Sequence, residues 1–522
     1  MKRDISLYDT AAAKKSKFAP QNDPVAIYCC GPTVYNYAHI GNLRTYIFED
    51  VLKRALVACG YAVRHVVNIT DVGHLVSDGD TGEDKMEKGA AREGKSVWEI
   101  AAYYTEKFMA DAASLNILPP NLWPKATEHI PQMIALVKTL EENGFTYRTS
   151  DGIYFDTARF PAYCDFARID PQSLRAGERV DMGEKRGVTD FALWKFSPKG
   201  PKRQMEWESP WGVGFPGWHI ECSAMSLAHL PQPLDIHCGG MDHIRVHHTN
   251  EIAQTEAATG KKFANVWLHG EFLVLDKGKM AKSGGNFVTL DTLKERGVSP
   301  LGYRMFCYTA HYRSPLTFSF EGAAAAEQGL ANLRKIISSL DKDGGVGEAG
   351  NINGVGNVNA GDVNANNINT NAVNKALEPF MAAVCDDLNM PRAMAALWDG
   401  LRDGAMSGAE KRAFAEEADN VLGLDLLKAP GEDHRIVVAE EVDGYKVSII
   451  IDGRLPSPLK SAVMEKAALR KKSRADRDFQ TADQIRNQFA EAGVALKDLP
   501  DGSTECTIGD PARAAVALGC GA

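Results

Sequence analysis

Between Val25 and Cys29 the chain runs through an unbroken apolar segment, is interrupted at Gly31-Pro32, and is interrupted again at His39-Ile40-Gly41-Asn42. Apolar residues then recur at Leu43, Ile47, Val51, Leu52, Ala55 and Leu56, the spacing of one helix face, and Gly60 stands where that helix closes. Ala62 to Ile69 predicts a second strand. The unit is β-α-β, with parallel strands and a loop at the carboxyl end of the first, where open α/β sheets bind ligands.

The same patterning organises the rest. Residues 1–24 form a short lead-in, and helices are predicted at Ser96–Leu115 and at Glu128–Asn143, which Gly144 ends. From Thr146 to Trp211 short strand-like pieces, Gly152–Phe155 and Phe191–Phe196, replace the α/β alternation and predict an insertion. The alternation returns with a strand at Leu234–His237, a helix from about Val246 to Thr259, and a strand pair around Val266 to Leu275. Beyond Asp291 the pattern is helical, apart from a β-like stretch at Arg435–Ile451, and Lys460 to Ala492 predicts charged helix. The fold class is α/β: a doubly wound parallel sheet, interrupted by an insertion and followed by helices.

Composition changes this picture at one place. Gly344 to Asn374 is built almost wholly of Asn, Gly, Val, Ala, Asp and Ile, too few large side chains to offset the entropy of ordering, so a disordered surface insertion is expected. The 522 residues carry a net charge of -9, so a nucleic-acid partner would have to be held by local basic patches, such as Lys466, Arg470, Lys471, Lys472, Arg474, Arg477 and Arg486. A charge run of this kind is more often a solvated helix face. No targeting segment and no membrane-length apolar run is found, and 10 cysteines in a chain this long fit reduced thiols in a cytosol.

Three groups carry candidate chemistry. His39 and Gly41 open a helix whose free N–H groups suit phosphate, although a helix start with an incidental histidine is the commoner meaning of those four residues. Lys279-Met280-Ala281-Lys282-Ser283-Gly284-Gly285-Asn286 follows a strand and could close over phosphates; taken singly it is a solvated turn. His247 and Glu251 share a helix face, and with Cys30 and Cys222 they offer a donor set suited to zinc. The cysteines serve equally as small buried apolar residues.

Taken in order, Cys-Gly-Pro-Thr-Val-Tyr with His-Ile-Gly-Asn, Asn-Ile-Thr-Asp, Gly-Trp-His-Ile-Glu-Cys-Ser-Ala-Met, Asp-Ile-His followed by His-His-x-Asn-Glu-Ile-Ala-Gln, and Lys-Met-Ala-Lys-Ser resemble the cysteinyl-tRNA synthetase family over nearly the whole chain. The resemblance implies a class I aminoacyl-tRNA synthetase, with a Rossmann-type sheet, a connective insertion, a helical bundle and a small C-terminal anticodon-binding domain. It implies residues 1–118 and 216–290 as the catalytic halves and 119–215 as the insertion. Residues 291–340 would be a stem-contact region, 341–374 the Asn/Gly-rich insertion, 375–430 with part of 320–340 the bundle, and 431–522 the anticodon-binding region.

The resemblance also assigns residues. Cys30, Cys222, His247 and Glu251 would be zinc ligands, the substrate sulfur entering as a fifth ligand or in place of Glu251. His39, Gly41 and Asn42 would form the first signature, and Lys279, Lys282 and Ser283 the second, with Lys282 on ATP. Gly240 and Asp242 would lie near adenosine, and Thr33, Thr70 and Trp218 would line the amino-acid pocket. The implied partners are L-cysteine, ATP with Mg2+ and tRNA(Cys), in a monomeric cytoplasmic enzyme. A related cysteine:amino-sugar ligase, which lacks the long C-terminal region, and an inactive zinc-bearing RNA-binding paralogue are the alternatives. Ala281, Cys238 and Glu505 depart from the family pattern; Cys238 is expected to add a side chain where backbone approaches ATP.

Overall fold

Parallel pairing of the Val25–Cys29 and Val63–Val67 strands, with helix Ile40–Ala58 between them, is present in a computed structural model of the protein. The structure describes residues 2–73, 85–168, 183–197, 203–275, 288–340, 368–428, 435–452, 457–499, 502–508 and 511–520. The chain divides into two units, one of Met1–Leu290, Arg304–Ser319 and Gly344–Leu424, the other of Asp291–Tyr303, Phe320–Asp343 and Asp425–Ala522.

In the first unit four strands run parallel in the order Ala264–Gly270, Leu234–Gly240, Val25–Cys29, Val63–Val67. Every residue of Val25–Cys29 and of Leu234–Gly240 is buried, as a parallel sheet covered on both faces requires. Helix Ile40–Ala58 buries Leu43, Ile47, Val51, Leu52, Ala55 and Leu56, the stripe read from the sequence. Tyr28, Val66, Met133, Val137, Trp194, Ile220, Met225 and Trp267 join one apolar cluster that connects the sheet to helices Ile130–Glu142 and Trp218–His229. The insertion is an antiparallel meander of Thr146–Arg148, Gly152–Phe155, Phe191–Phe196 and Gly214–Pro216.

Two expectations are corrected. The segment from Val266 to Leu275 is not a strand pair: Ala264–Gly270 pairs with Leu234–Gly240, whereas Leu273–Leu275 runs parallel to Leu316–Phe318 in a separate sheet. The lead-in contains an antiparallel hairpin, Ser6–Asp9 with Lys14–Lys17. Most of the Asn-rich segment, residues 341–367, lies outside the described residues.

The strand interior places His65 against Cys29, Nε2 lying 3.2 Å from Sγ. Burial, helped by the Lys53 charge, lowers its pKa to about 3. A folded-state pKa below the unfolded value near 6.5 means the unfolded chain takes up the proton first, so stability falls as pH drops below about 6.5 and levels off only toward pH 3. At pH 5 this one histidine is expected to remove about 2 kcal/mol. Urea midpoints at pH 7.5 and pH 5 measure it; a His65→Gln chain should lose less between the two, and an equal loss would refute the assignment.

The second unit holds a mixed sheet in the order Arg435–Val442, Tyr445–Asp452, Thr504–Ile508, Val494–Asp498. Val447, Ile449, Val463, Met464, Ile485, Phe489 and Cys506 form its core with helices Ser457–Ala475 and Phe479–Glu491. Its basic cluster is not a free row of cations. Arg470 is 7% exposed and donates to both carboxylate oxygens of Asp498, which also holds Arg474 at 2.9 Å and Lys471 at 3.5 Å. Those three charges share an internal partner, which weakens the reading of the cluster as a phosphate-binding row.

Candidate active site and metal centre

Cys29 and Val67 are register partners, so the Val25–Cys29 and Val63–Val67 strands end side by side, and the segments leaving them are tied together. Val34 N–H donates to Thr70 O at 3.1 Å, and Thr70 N–H donates to Pro32 O at 3.0 Å. The approach is close enough that a β-carbon on Gly31 would stand 1.6 Å from Asn68 O, so only glycine fits there.

A cleft of about 330 Å³ opens over these strand ends. Cys30, Thr33, His39, Asn42, Thr70, Trp218, Cys222, Gly240, Asp242 and His247 all line it. Gly41 does not line it, but packs against the His39 ring. Glu251 does not line it either and is fully buried. A β-carbon on Gly240 would meet Asp242 Oδ1 at 2.3 Å, so a larger residue there would displace the Asp242 side chain. Lys279, Ala281, Lys282 and Ser283 lie outside the described residues.

His39 is the N-cap of helix Ile40–Ala58. Its Nδ1 accepts the Asn42 N–H at 3.1 Å, while Asn42 Oδ1 accepts the His39 N–H at 3.4 Å, a reciprocal cap. An Nδ1 that accepts carries no proton, so the neutral ring bears its hydrogen on Nε2 and offers a donor. Partial burial lowers the His39 pKa, against the pull of Asp242, so the neutral form prevails near pH 7.

The donor atoms of Cys30, Cys222, His247 and Glu251 lie within 4.8 Å of one another, and all four residues are buried. A second set, Cys30, His237, His248 and Glu251, satisfies the same limit. One observation favours the first: Cys30, Cys222 and His247 face the cleft, whereas His237 and His248 do not.

The electrostatics fit a cation. Burial and the neighbouring Cys222 hold the Cys30 thiol well above its ordinary pKa. For Cys222 the hydrogen bond with Cys30 pulls downward, but burial prevails and the thiol is raised as well. Burial pushes Glu251 upward, yet His237 and His247 more than offset it and the carboxyl is lowered. Glu251 Oε2 makes no hydrogen bond, although His237 Nε2 lies 3.2 Å from it. Two thiols that need a positive charge in order to ionise, a carboxylate and an imidazole are a donor set that could hold a metal ion. His247 Nδ1 lies 3.0 Å from His219 Nδ1, leaving Nε2 toward Glu251 at 3.7 Å; a second-layer partner of this kind fixes the tautomer and orientation of a ligating ring.

The expectation for Cys238 is corrected. It is fully buried within Leu234–Gly240, opposite Cys29 and Leu268, and does not line the cleft. Two residues on, Gly240 at the end of the same strand does line the cleft.

Residues 17–328 match the family described as tRNA synthetases class I (C) catalytic domain. Over 500 residues the chain is 48% identical to cysteine–tRNA ligase 1 of Burkholderia lata, covering 95% of this chain and 96% of that protein. It is 41% identical to cysteine–tRNA ligase of Treponema denticola over 95% of this chain and 98% of the relative. The chain belongs to the class I cysteine–tRNA ligase family. Solved structures support the fold: methionyl-tRNA synthetase of Mycobacterium tuberculosis bound by methionyl-adenylate superimposes with a TM-score of 0.51 at 18% identity, over 77% of this chain and 90% of that one. LeuRS of Agrobacterium radiobacter, in a ternary complex with tRNA and LeuAMS, gives 0.51 at 11% identity over 95% and 97%.

Within this family assignment, sequence reasoning missed Asn68, His219 and Glu221 as parts of the site. All three stood inside quoted motifs, beside Thr70, Trp218 and Cys222. Their signal is adjacency alone, since nothing in spacing shows that Asn68 meets Gly31 across two strand ends at 2.8 Å.

Proposed function

We propose that this cleft joins L-cysteine to ATP, supplied with Mg2+, releasing diphosphate and forming cysteinyl-adenylate, and then passes the cysteinyl group to the 3′ end of tRNA(Cys). The observation that carries this reading is that one cleft is lined both by the sulfur- and nitrogen-bearing residues Cys30, Cys222 and His247 and by the helix-capping pair His39 and Asn42.

Cysteine and serine have nearly the same shape, and an apolar pocket separates near-isosteres poorly. A zinc ion held by Cys30, Cys222, His247 and Glu251 would supply a soft Lewis acid that prefers a thiolate to a hydroxyl. Thr33, Thr70 and Trp218 line the amino-acid pocket. The His39 Nε2–H and Asn42, at the helix amino terminus, bind phosphate oxygens, with Gly41 keeping the turn narrow. Gly240 and Asp242 take the adenosine, and Lys282, with Lys279 and Ser283, neutralises the leaving diphosphate. The substrate carboxylate attacks the α-phosphorus in line and no covalent enzyme intermediate is needed, so catalysis is positioning and charge stabilisation.

In the same reading residues 1–118 and 216–290 form the catalytic domain, 119–215 the connective insertion, and 431–522 contact the anticodon. The chain works as a monomer in the cytoplasm. No helix among the described residues is long and apolar enough to cross a membrane.

The test is attachment of labelled cysteine to bulk tRNA by the purified chain with ATP and zinc. Cysteine is expected to be attached and serine, at equal concentration, to stay at background. No attachment of cysteine, or comparable attachment of serine, would overturn the proposal.

A further inference from the structure

Asn68 and Glu221 are buried side chains at this site to which the reaction above assigns no task, and Thr70 lies between them. The Gly31 backbone N–H donates to Asn68 Oδ1 at 2.8 Å. Because a backbone N–H can only donate, that contact fixes which end of the amide is oxygen, and Nδ2 faces Thr70 Oγ1 at 3.0 Å as a donor. Thr70 in turn donates its hydroxyl hydrogen to Glu221 Oε2 at 3.2 Å. A hydroxyl has one hydrogen and two lone pairs. Asn68 takes one lone pair, Glu221 takes the hydrogen, and the second lone pair is what Thr70 has left to present to the cleft it lines.

We propose that Asn68 and Glu221 are positioning residues that hold the Thr70 hydroxyl as a hydrogen-bond acceptor, and that the group it accepts from is the α-ammonium of the substrate amino acid. The inference rests on the reading of the cleft as a cysteine-activating site. The ammonium is the substrate donor nearest the sulfur, and Thr70 sits beside the sulfur-binding cluster: Asn68 Oδ1 is 3.6 Å from Cys222 Sγ, and Glu221 precedes Cys222 in helix Trp218–His229. The substrate carboxylate, an acceptor itself, is turned away from Thr70 by the same lone pair. Thr70, Asn68 and Glu221 are 2%, 1% and 0% exposed, so water does not substitute readily for either anchor.

Reversal of the hydroxyl separates this role from a structural one. Glu221→Gln keeps the shape but can donate to Thr70, which then turns its hydrogen toward the ammonium. Thr70→Val keeps the shape and removes the hydroxyl. The zinc-loaded full-length chain is assayed by amino-acid-dependent exchange of diphosphate into ATP, with 3-mercaptopropionate, which has the sulfur and carboxylate of cysteine but no amine, as the competing probe. Both variants are expected to raise the KM for cysteine about 10- to 100-fold, the scale of a lost hydrogen bond to a charged group, while the Ki of 3-mercaptopropionate moves less than about 3-fold. KM and Ki rising together would mean a merely structural role, and neither moving would mean no contact; each overturns the proposal. A native chain with no cysteine-dependent exchange would overturn the underlying reading as well, so the two failures are distinguishable.

Discussion

Replacing Cys222 by serine is expected to abolish binding at the proposed zinc site and cysteine activation together. The substitution removes one of two buried sulfur donors from a cluster whose four donor atoms lie within 4.8 Å, and a serine hydroxyl does not ionise in so buried a place. Changing a residue that merely supports a ligand lowers metal affinity or activity by about 10- to 100-fold, so loss of a ligand itself should lower cysteine-dependent exchange by at least about 100-fold. Metal analysis of the purified variant, beside the exchange assay, measures both. Retained zinc with normal cysteine affinity would remove Cys222 from the site. Circular dichroism keeps global unfolding apart from local loss.

Asp50→Ala is expected to destabilise the first unit by about 3–5 kcal/mol, as breaking a buried charge network does. Asp50 is 2% exposed on helix Ile40–Ala58; its Oδ2 receives Arg54 Nε at 2.7 Å and the Arg304 guanidinium, and its Oδ1 receives the Leu118 N–H at 2.8 Å. Both guanidinium groups also donate to carbonyls, Arg54 to Asn116 and Asn420 and Arg304 to Leu115 and Leu422, and Arg304 donates to the Tyr308 hydroxyl as well. Removing the one carboxylate leaves two buried cations facing each other. Urea unfolding compared with Glu378→Ala, which breaks the exposed Arg3 pair, provides the scale, since the latter should cost less than about 1 kcal/mol. Equal midpoint shifts would mean the buried network contributes no more than a surface pair.

The sheet and the cleft were legible in the sequence to different depths. Val25–Cys29, the stripe on helix Ile40–Ala58, the helical spacing from Ser96 and the stop at Gly144 are local signals, and the chain follows them. The pairing of Leu273–Leu275 escaped because its partner, Leu316–Phe318, lies far along the chain and neither short segment records the other. Lys14–Lys17 escaped because every residue in it is exposed, so the strand has no apolar side to betray it. In the site, His247 and Glu251 are visible as a helical pair, but their meeting with Cys30 and Cys222 is a product of sheet order that no single segment encodes. Arg470 is the opposite case: it looked available on its helix and was claimed by Asp498, a residue on a strand that had not been foreseen.

The reciprocal cap at His39 and Asn42 makes the boundary of a secondary-structure element and part of the lining of the cleft the same object. A helix start that lacks its N-cap side chain loses about 1 kcal/mol, and here that side chain is His39. A variant at position 42 keeps the backbone N–H that His39 accepts and loses only the return contact to the His39 N–H, so it is judged by the small loss in the first turn and by the chemistry at its tip. Exchange of Asn42 for a second histidine would trade a short amide, shaped to reach back to the His39 N–H, for an imidazole with a longer reach toward the ligand. Asparagine at this position marks a chain in which the geometry of the turn constrains its own chemical vocabulary.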